Sequence, residues 1–366
     1  MNASRTKKVC YFHNPHTRGR FHDYDIHTLD PAPYFLNKAA VRRPFVRRAQ
    51  LRKLRSLQAA AGLDHLYRER DSDYMKFIDD FVDEFKDADL LVLATYNPVH
   101  PEVLRQRLQR PTRILGFIDD PHSTYVRGVP YLWSVDGAFY ISPGYDEAQD
   151  FRTALATWGC RATHWLPLVP KNLPEFSPTD AFFEDRHVDL VYIGGSYGNK
   201  TNRLAQFKKA LGPRFRVHGR WAMKGYVGFA RGLLGKPVYP HRVTALSDAE
   251  RAELYCNSKI GINMHLSDRR AETGNMRMYE VPAHGAMLLC DKGARDMHAT
   301  IFRPDHEAVY YDNLDDALDR IHYYLDHPRE RIEIARRGFE RVQREYTFDA
   351  VLKGLLDWGV SVPRNR

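Results

Sequence analysis

Cysteine is scarce: the 366 residues hold four, Cys10, Cys160, Cys256 and Cys290, far apart and without a C-x-x-C spacing. That excludes a disulfide framework and a zinc knuckle, and it predicts a reduced, cytoplasmic protein. No apolar run reaches the ~18 residues that a membrane span needs. The opening MNASRTKKVCYFHN is charged and then only briefly apolar, so no signal peptide is expected. Repeats of solenoid period and low-complexity tracts are absent. The 17 histidines form no H-E-x-x-H and no clustered ligand spacing, so no metal ligands are expected. D-x-D occurs twice, as Asp23-Tyr24-Asp25 in an expected loop and as Asp71-Ser72-Asp73 at an expected helix start. Among 46 acidic residues such pairs arise by chance, and helix capping by Ser72 or Asp73 explains the second.

What is present is ordinary for a globular chain: 43% hydrophobic and 28% charged residues, with a formal net charge of +9. At roughly 150 residues per domain the length suggests two domains. Apolar runs predict strands at 9–13, 89–95, 113–118 and 137–142. Tyr74, Phe77, Ile78, Phe81, Val82 and Phe85 fall on one helical stripe, and further helices are expected near 101–109 and 146–158. Residues 167–187 hold Pro167, Pro170, Pro174 and Pro178 with little periodicity, which reads as an interdomain linker. Alternation then restarts, with strands at 188–193, 215–218, 259–264, 286–290 and 308–311. Helices lie between them and at 314–326, 329–345 and 348–357. Strands alternating with helices predict an α/β protein of two Rossmann-like, doubly wound domains facing a cleft, with ligands at the carboxyl ends of the strands.

The densest polar constellation is KIGINMHLSDRRAETGNMRMYEVPAHGAMLLCD, residues 259–291. A strand ends at Asn263-Met264-His265, and Gly274-Asn275 open a helix carrying Arg277 and Glu280. A helix N-terminus after a strand favours anions, and Arg277 in its first turn could add charge-assisted hydrogen bonds to a phosphate. Glu280 suits a ribose diol. Equally open is a weak surface ion pair between the two, three residues apart. Gly194-Gly195-Ser196, followed by Lys200 and Arg203, offers a second diphosphate contact or a plain βα turn; the P-loop pattern is absent. Asp119-Asp120-Pro121-His122 follows a strand. Its side chains could orient or deprotonate an acceptor hydroxyl, or simply close an Asp-Pro turn.

These motifs resemble the CgeB-like glycosyltransferases. The matching residues are Ser258-Lys259-Ile260, Asn263, His265, Gly274-Asn275, Arg277, Tyr279-Glu280, Ala283, Gly285-Ala286 and Asp291. Upstream, DLVYIGGS at 189–196 agrees with them, and downstream so do Glu307, Val309, Tyr311 and Asp312. The likeness covers most of 188–345 and is looser before it. It implies the GT-B fold: an acceptor-side domain at 1–170, a linker at 171–187, a nucleotide-sugar domain at 188–345, and a tail at 346–366 whose helix returns to the first domain. It implies transfer of a sugar from a nucleotide-sugar co-substrate to an acceptor hydroxyl, with either retention or inversion open; with no metal motif present, neither a metal nor another cofactor is expected. Arg277 and Glu272 would be catalytic. Gly194, Gly195, Ser196, Lys200, Arg203, Asn263, His265, Gly274, Asn275 and Glu280 would bind the donor. Asp119, Asp120 and His122 would serve the acceptor side. Glu272 and Glu280 share the seven-residue separation of many retaining GT-B enzymes, though Glu272 itself departs from the CgeB-like pattern.

One feature stands outside that scheme. Residues 38–55 carry Lys38, Arg42, Arg43, Arg47, Arg48, Arg52, Lys53 and Arg55 with no acid between them, at spacings that suggest a basic helix. An anionic acceptor would be drawn to it, whether glycan, lipid or nucleic acid, and so would a membrane surface. Two alternatives therefore accompany the transferase reading. One is a nucleic-acid-associated protein, including a glycosyltransferase acting on modified bases in DNA. The other is a non-catalytic nucleotide-binding module.

Overall fold

The computed structural model describes residues 5–12, 17–35, 59–95, 97–117, 127–141, 151–171, 178–195, 200–219, 243–265, 275–292 and 298–364. The chain divides into two units, Met1–Leu166 together with Leu352–Arg366, and Pro167–Val351.

The first unit is built on seven strands: β1 (Lys7–Tyr11), β2 (Gly19–Phe21), β3 (Tyr24–His27), β4 (Leu90–Ala94), β5 (Thr112–Phe117), β6 (Gly137–Tyr140) and β7 (Thr163–Trp165). Their order is β2-β3-β1-β4-β5-β6-β7, parallel throughout except for β2 against β3. The sequence reading lacked β2, β3 and β7, each of three or four residues and half-exposed, too short to set up a periodicity. Asp25, expected in a loop, therefore lies in β3, and its carboxylate pairs with His27 Nε2 at 2.9 Å.

The helix Ser72–Phe85 buries the whole predicted stripe, Tyr74 to Phe85, against the sheet. Its N-cap is Asp71, one residue before the expected pair, whose carboxylate accepts from the Tyr74 N–H at 3.0 Å. The helix Phe348–Ser361 closes this unit. Asp357 accepts from the Tyr24 hydroxyl at 2.6 Å, and Leu355 and Leu356 are buried. Gly359 lets the helix lie directly on the strands, since a Cβ there would stand 2.9 Å from Leu90 Cδ2 and 3.0 Å from Ile114 Cδ1.

The second unit has five parallel strands: β8 (Val188–Ile193), β9 (Phe215–His218), β10 (Ser258–Asn263), β11 (Met287–Asp291) and β12 (Val309–Tyr311), in the order β12-β11-β10-β8-β9. The chain runs from β8 outward to β9 and then crosses back to β10 on the other side. The topological switch point therefore lies between β8 and β10, where doubly wound sheets bind ligands beyond the strand ends. The helix Asp248–Cys256 begins with a capping box between Ser247 and Glu250.

Part of the expected linker belongs to this unit. Residues 172–177 lie outside the described residues, but Asp180–Glu184 is helical and Phe183 is buried, edge-on to Phe339 at 5.9 Å. Its single turn is too short to show a period beside four prolines. Arg186, also assigned to the linker, is buried and donates to the main-chain carbonyls of Tyr255, Ser258 and His284 at 3.1, 2.8 and 2.9 Å.

Candidate functional site

The residues that the motifs single out gather at the carboxyl edge of the second sheet. The helix Met276–Ala283 follows β10, and its N-cap is Asn275, whose side-chain oxygen accepts from the Arg277 N–H at 3.1 Å. That cap turns Arg277 back over the strand ends. Its Nη1 donates to Asn263 Oδ1 at 2.8 Å, at the end of β10, and its guanidinium lies 4.6 Å from the centre of the Tyr192 ring in β8. Gly194 follows β8, and any side chain there would push Arg277 from its place. A Cβ would meet Arg277 Nη2, Nε and Cζ at 2.6, 2.7 and 2.8 Å. The Gly195 carbonyl accepts from the Tyr192 hydroxyl at 2.9 Å, and the Gly194 N–H donates to the His218 carbonyl at 2.8 Å. A partly buried guanidinium is thus fixed across the switch point, and Lys200, which opens the helix after β8, is buried. Helix N-termini and guanidinium groups so placed suit a phosphate.

Glu280 is buried one turn further along the same helix. Its carboxylate lies 3.6 Å from Arg251 Nε, so the surface pair with Arg277 is not what forms. Burial raises its pKa above the ordinary carboxylate value, with Arg251 and Arg277 opposing the rise. A buried carboxylate facing one guanidinium retains acceptor capacity for a diol.

Beyond Asn263 the network continues. Asn263 Nδ2 donates to Cys290 Sγ at 3.4 Å, and Asp291 follows Cys290 at the end of β11. Asp291 Oδ2 accepts from the His265 N–H at 2.9 Å, and Oδ1 from His265 Nδ1 at 2.7 Å. His298 Nδ1 donates to the Asp291 main-chain carbonyl at 2.6 Å, and Arg203 Nη1 lies 3.7 Å from Oδ2. Burial pushes the His265 imidazole down to about 4. Burial alone would raise Asp291, but the two histidines outweigh it and hold the carboxyl well below its usual range.

His265, Cys290, Asp291 and His298 bring ligand-type atoms within 4.8 Å of one another, a grouping the sequence reading did not foresee. These atoms already bond one another, and Arg203 and Lys200 surround them with positive charge. The set therefore suits a cation poorly.

The structure thus brings together Arg277, Asn263, Gly194 and Gly195, with Asn275 as the cap. It joins His265 and Arg203 through Asp291. Ser196, Glu272, Gly274, Asp119, Asp120, His122 and the basic stretch 38–55 lie outside the described residues. Sequence reasoning missed His298, Tyr192 and Arg251 as partners of the site, and it quoted Asp291 only as a motif position. An acid closing an apolar strand was the available signal for Asp291; His298 had none.

Residues 201–357 match the family model described as glycosyl transferase-like. No curated protein matches the chain. Among solved structures, the Anabaena protein Alr3699/HepE in complex with UDP-glucose shares 12% identity at a TM-score of 0.53, covering 77% of this chain and 81% of that one. The sucrose-phosphate synthase of Thermosynechococcus elongatus shares 16% identity at 0.52, covering 80% and 78%. An alpha-glucosyltransferase in complex with UDP and a 13-mer DNA containing a HMU base shares 10% identity at 0.59, covering 97% and 99%. The chain thus has the GT-B fold, and within it residues 201–357 are similar to glycosyl transferase-like proteins.

Proposed function

We propose that this GT-B glycosyltransferase takes a nucleoside-diphosphate sugar as donor and binds its diphosphate at the switch point between β8 and β10. The observation that carries the reading is Arg277, in the first turn of the helix Met276–Ala283 and pinned between Asn263, Tyr192 and Gly194. The neighbours solved with UDP or UDP-glucose support uridine as the base. Glu280 holds the ribose hydroxyls. The acceptor oxygen attacks the anomeric carbon as its bond to the diphosphate breaks. In the retaining course, the leaving phosphate oxygen takes the acceptor's proton. Arg277, Lys200, Arg203 and the helix dipoles stabilise the charge that develops on the diphosphate, which is electrostatic catalysis without a metal. Membership in the CgeB-like group is part of the proposal and is supported by the motif residues from Ser258 to Asp291. A cytoplasmic setting is supported by four free cysteines and by the lack, among the described residues, of any helix long and apolar enough to cross a membrane. Calorimetry with UDP, GDP, CDP, ADP and dTDP tests the donor site. One of them should bind, and Arg277→Ala should weaken it at least ten-fold; a variant binding as the wild type refutes the assignment.

A DNA acceptor is the second reading. It is favoured by the neighbour solved with DNA, which spans 97% of this chain, and by the net charge of +9 with its basic stretch at 38–55. Incubation of a HMU-containing oligonucleotide with UDP-glucose should add a hexose to the DNA. Transfer to a glycan or lipid with none to DNA decides against it.

A further inference from the structure

We propose that His265 and His298 form a paired acceptor for hydroxyls of the sugar on the donor nucleotide, with Asp291 as the residue that fixes both rings. The inference rests on the donor reading above and deepens it.

Asp291 sets the tautomers. His265 Nδ1 donates to its carboxylate at 2.7 Å, and His298 Nδ1 donates to its main-chain carbonyl at 2.6 Å. A neutral imidazole with its proton on Nδ1 keeps a lone pair on Nε2. The two rings stack with centroids 3.5 Å apart and planes 27° from parallel. With both Nδ1 atoms facing Asp291, both Nε2 atoms point away from it together. Each of these two nitrogens is buried and has no hydrogen-bond partner among the described residues. Orphaned buried acceptors are few in native proteins and costly to keep, and a pair of them side by side marks a missing donor.

Three kinds of ligand could supply what is missing, and the surroundings choose between them. A cation is opposed by Arg203, 3.7 Å from Asp291 Oδ2, and by Lys200, whose charge also disfavours the positive form of His265. A phosphate oxygen carries no proton, so it would require protonated rings, and burial works against that in His265. A hydroxyl is neutral and brings its own proton, which is what a lone pair needs. The network names which hydroxyl. Arg277, at the proposed diphosphate position, bonds Asn263; Asn263 bonds Cys290; and Asp291 follows directly. The sugar is the group attached to that diphosphate, whereas the ribose side is served by Glu280.

The test is calorimetry on the whole chain with UDP and UDP-glucose, comparing wild type, His298→Asn and His265→Asn. Asparagine keeps an N–H near the Nδ1 position and removes Nε2. Each variant should hold UDP within two-fold of wild type and lose about 5–10-fold in UDP-glucose affinity, the size of one net hydrogen bond. Nitrogen-15 spectra of both imidazoles should show the Nδ1–H tautomer, and Asp291→Ala should abolish that preference in His265 while His298, bonded to the main-chain carbonyl, keeps it. Equal loss of UDP and UDP-glucose would make the pair structural. Unchanged affinity for both would mean that a buried water occupies the Nε2 pair. Stoichiometric metal in the purified wild type, lost in either variant, would make the site a cation site. Each of these overturns the inference. If Arg277→Ala loses UDP while the histidine variants keep full UDP-glucose affinity, only the inference falls. If the wild type binds no nucleotide or nucleotide sugar, the donor reading falls and takes the inference with it.

Discussion

Replacing Gly194 by alanine isolates the role of Arg277 without touching its charge. The new methyl would stand 2.6 Å from Nη2, 2.7 Å from Nε and 2.8 Å from Cζ of Arg277, all inside contact distance. The guanidinium cannot slide aside and keep both its 2.8 Å bond to Asn263 and its 4.6 Å approach to the Tyr192 ring. A hydrogen bond to a charged group contributes about 1.5–3 kcal/mol, and an exposed cation–π contact about 0.5–1 kcal/mol. Water recovers part of this, because Arg277 is only half-buried. Folding stability should therefore fall by less than ~1.5 kcal/mol, measured by urea unfolding. Nucleotide affinity should fall about 10–50-fold, or ~1.4–2.3 kcal/mol, measured by calorimetry. The diagnostic is the double-mutant cycle with Arg277→Ala. Once Arg277 is gone the three atoms nearest the methyl are gone with it, so Gly194→Ala should cost little further. A penalty that persists in full in the Arg277→Ala background would show that Gly194 acts through the backbone, and the clamp argument would be wrong.

Glu280→Ala should weaken nucleotide binding by ~1–3 kcal/mol, whereas an effect confined to thermal stability would reduce Glu280 to a partner of Arg251. For His265, whose folded-state pKa of about 4 lies below its unfolded value, the unfolded chain takes up the proton first as pH falls. Its contribution is thus complete above pH ~6.5 and is lost progressively toward pH ~4, at most roughly 3 kcal/mol. Urea unfolding at pH 7 and pH 4.5 should show a smaller loss for His265→Asn than for wild type, and equal losses would contradict the shift. Transfer activity should survive EDTA; full loss rescued by Mn²⁺ or Mg²⁺ would place a metal in the reaction. Charge reversal at Arg43, Arg47 and Arg48 should leave donor affinity within a few-fold and weaken an anionic acceptor, more so at low salt because screening acts over ~8–10 Å. Equal losses in donor and acceptor would make that stretch structural.

Central strands and long helices were legible because burial on both faces writes continuous apolar runs, as in β4 and β8, and an amphipathic stripe writes a period, as in Ser72–Phe85. Edge elements were not. β2 carries Gly19, Arg20 and Phe21, which hold no pattern against a solvent-facing edge. The site was legible where function and fold use the same residues: Asn275 must cap a helix, and Arg277 follows from that cap. It was illegible where partners are distant in sequence. Nothing near Arg277 announces Tyr192, and nothing near His265 announces His298. Those pairings exist only once β8, β10 and β11 lie side by side.

The return of Leu352–Arg366 to the first unit has a consequence for the order in which the protein is made. Leu90 and Ile114, which the last helix covers at Gly359, leave the ribosome long before that helix exists. The whole of Pro167–Val351 must be translated in between, which at ~5–20 residues per second takes roughly 10–40 s. Through that interval Leu90 and Ile114 lack the helix that lies on them in the finished protein. Expression of residues 1–166 alone should give aggregated product, and supplying residues 346–366 as a peptide should restore solubility.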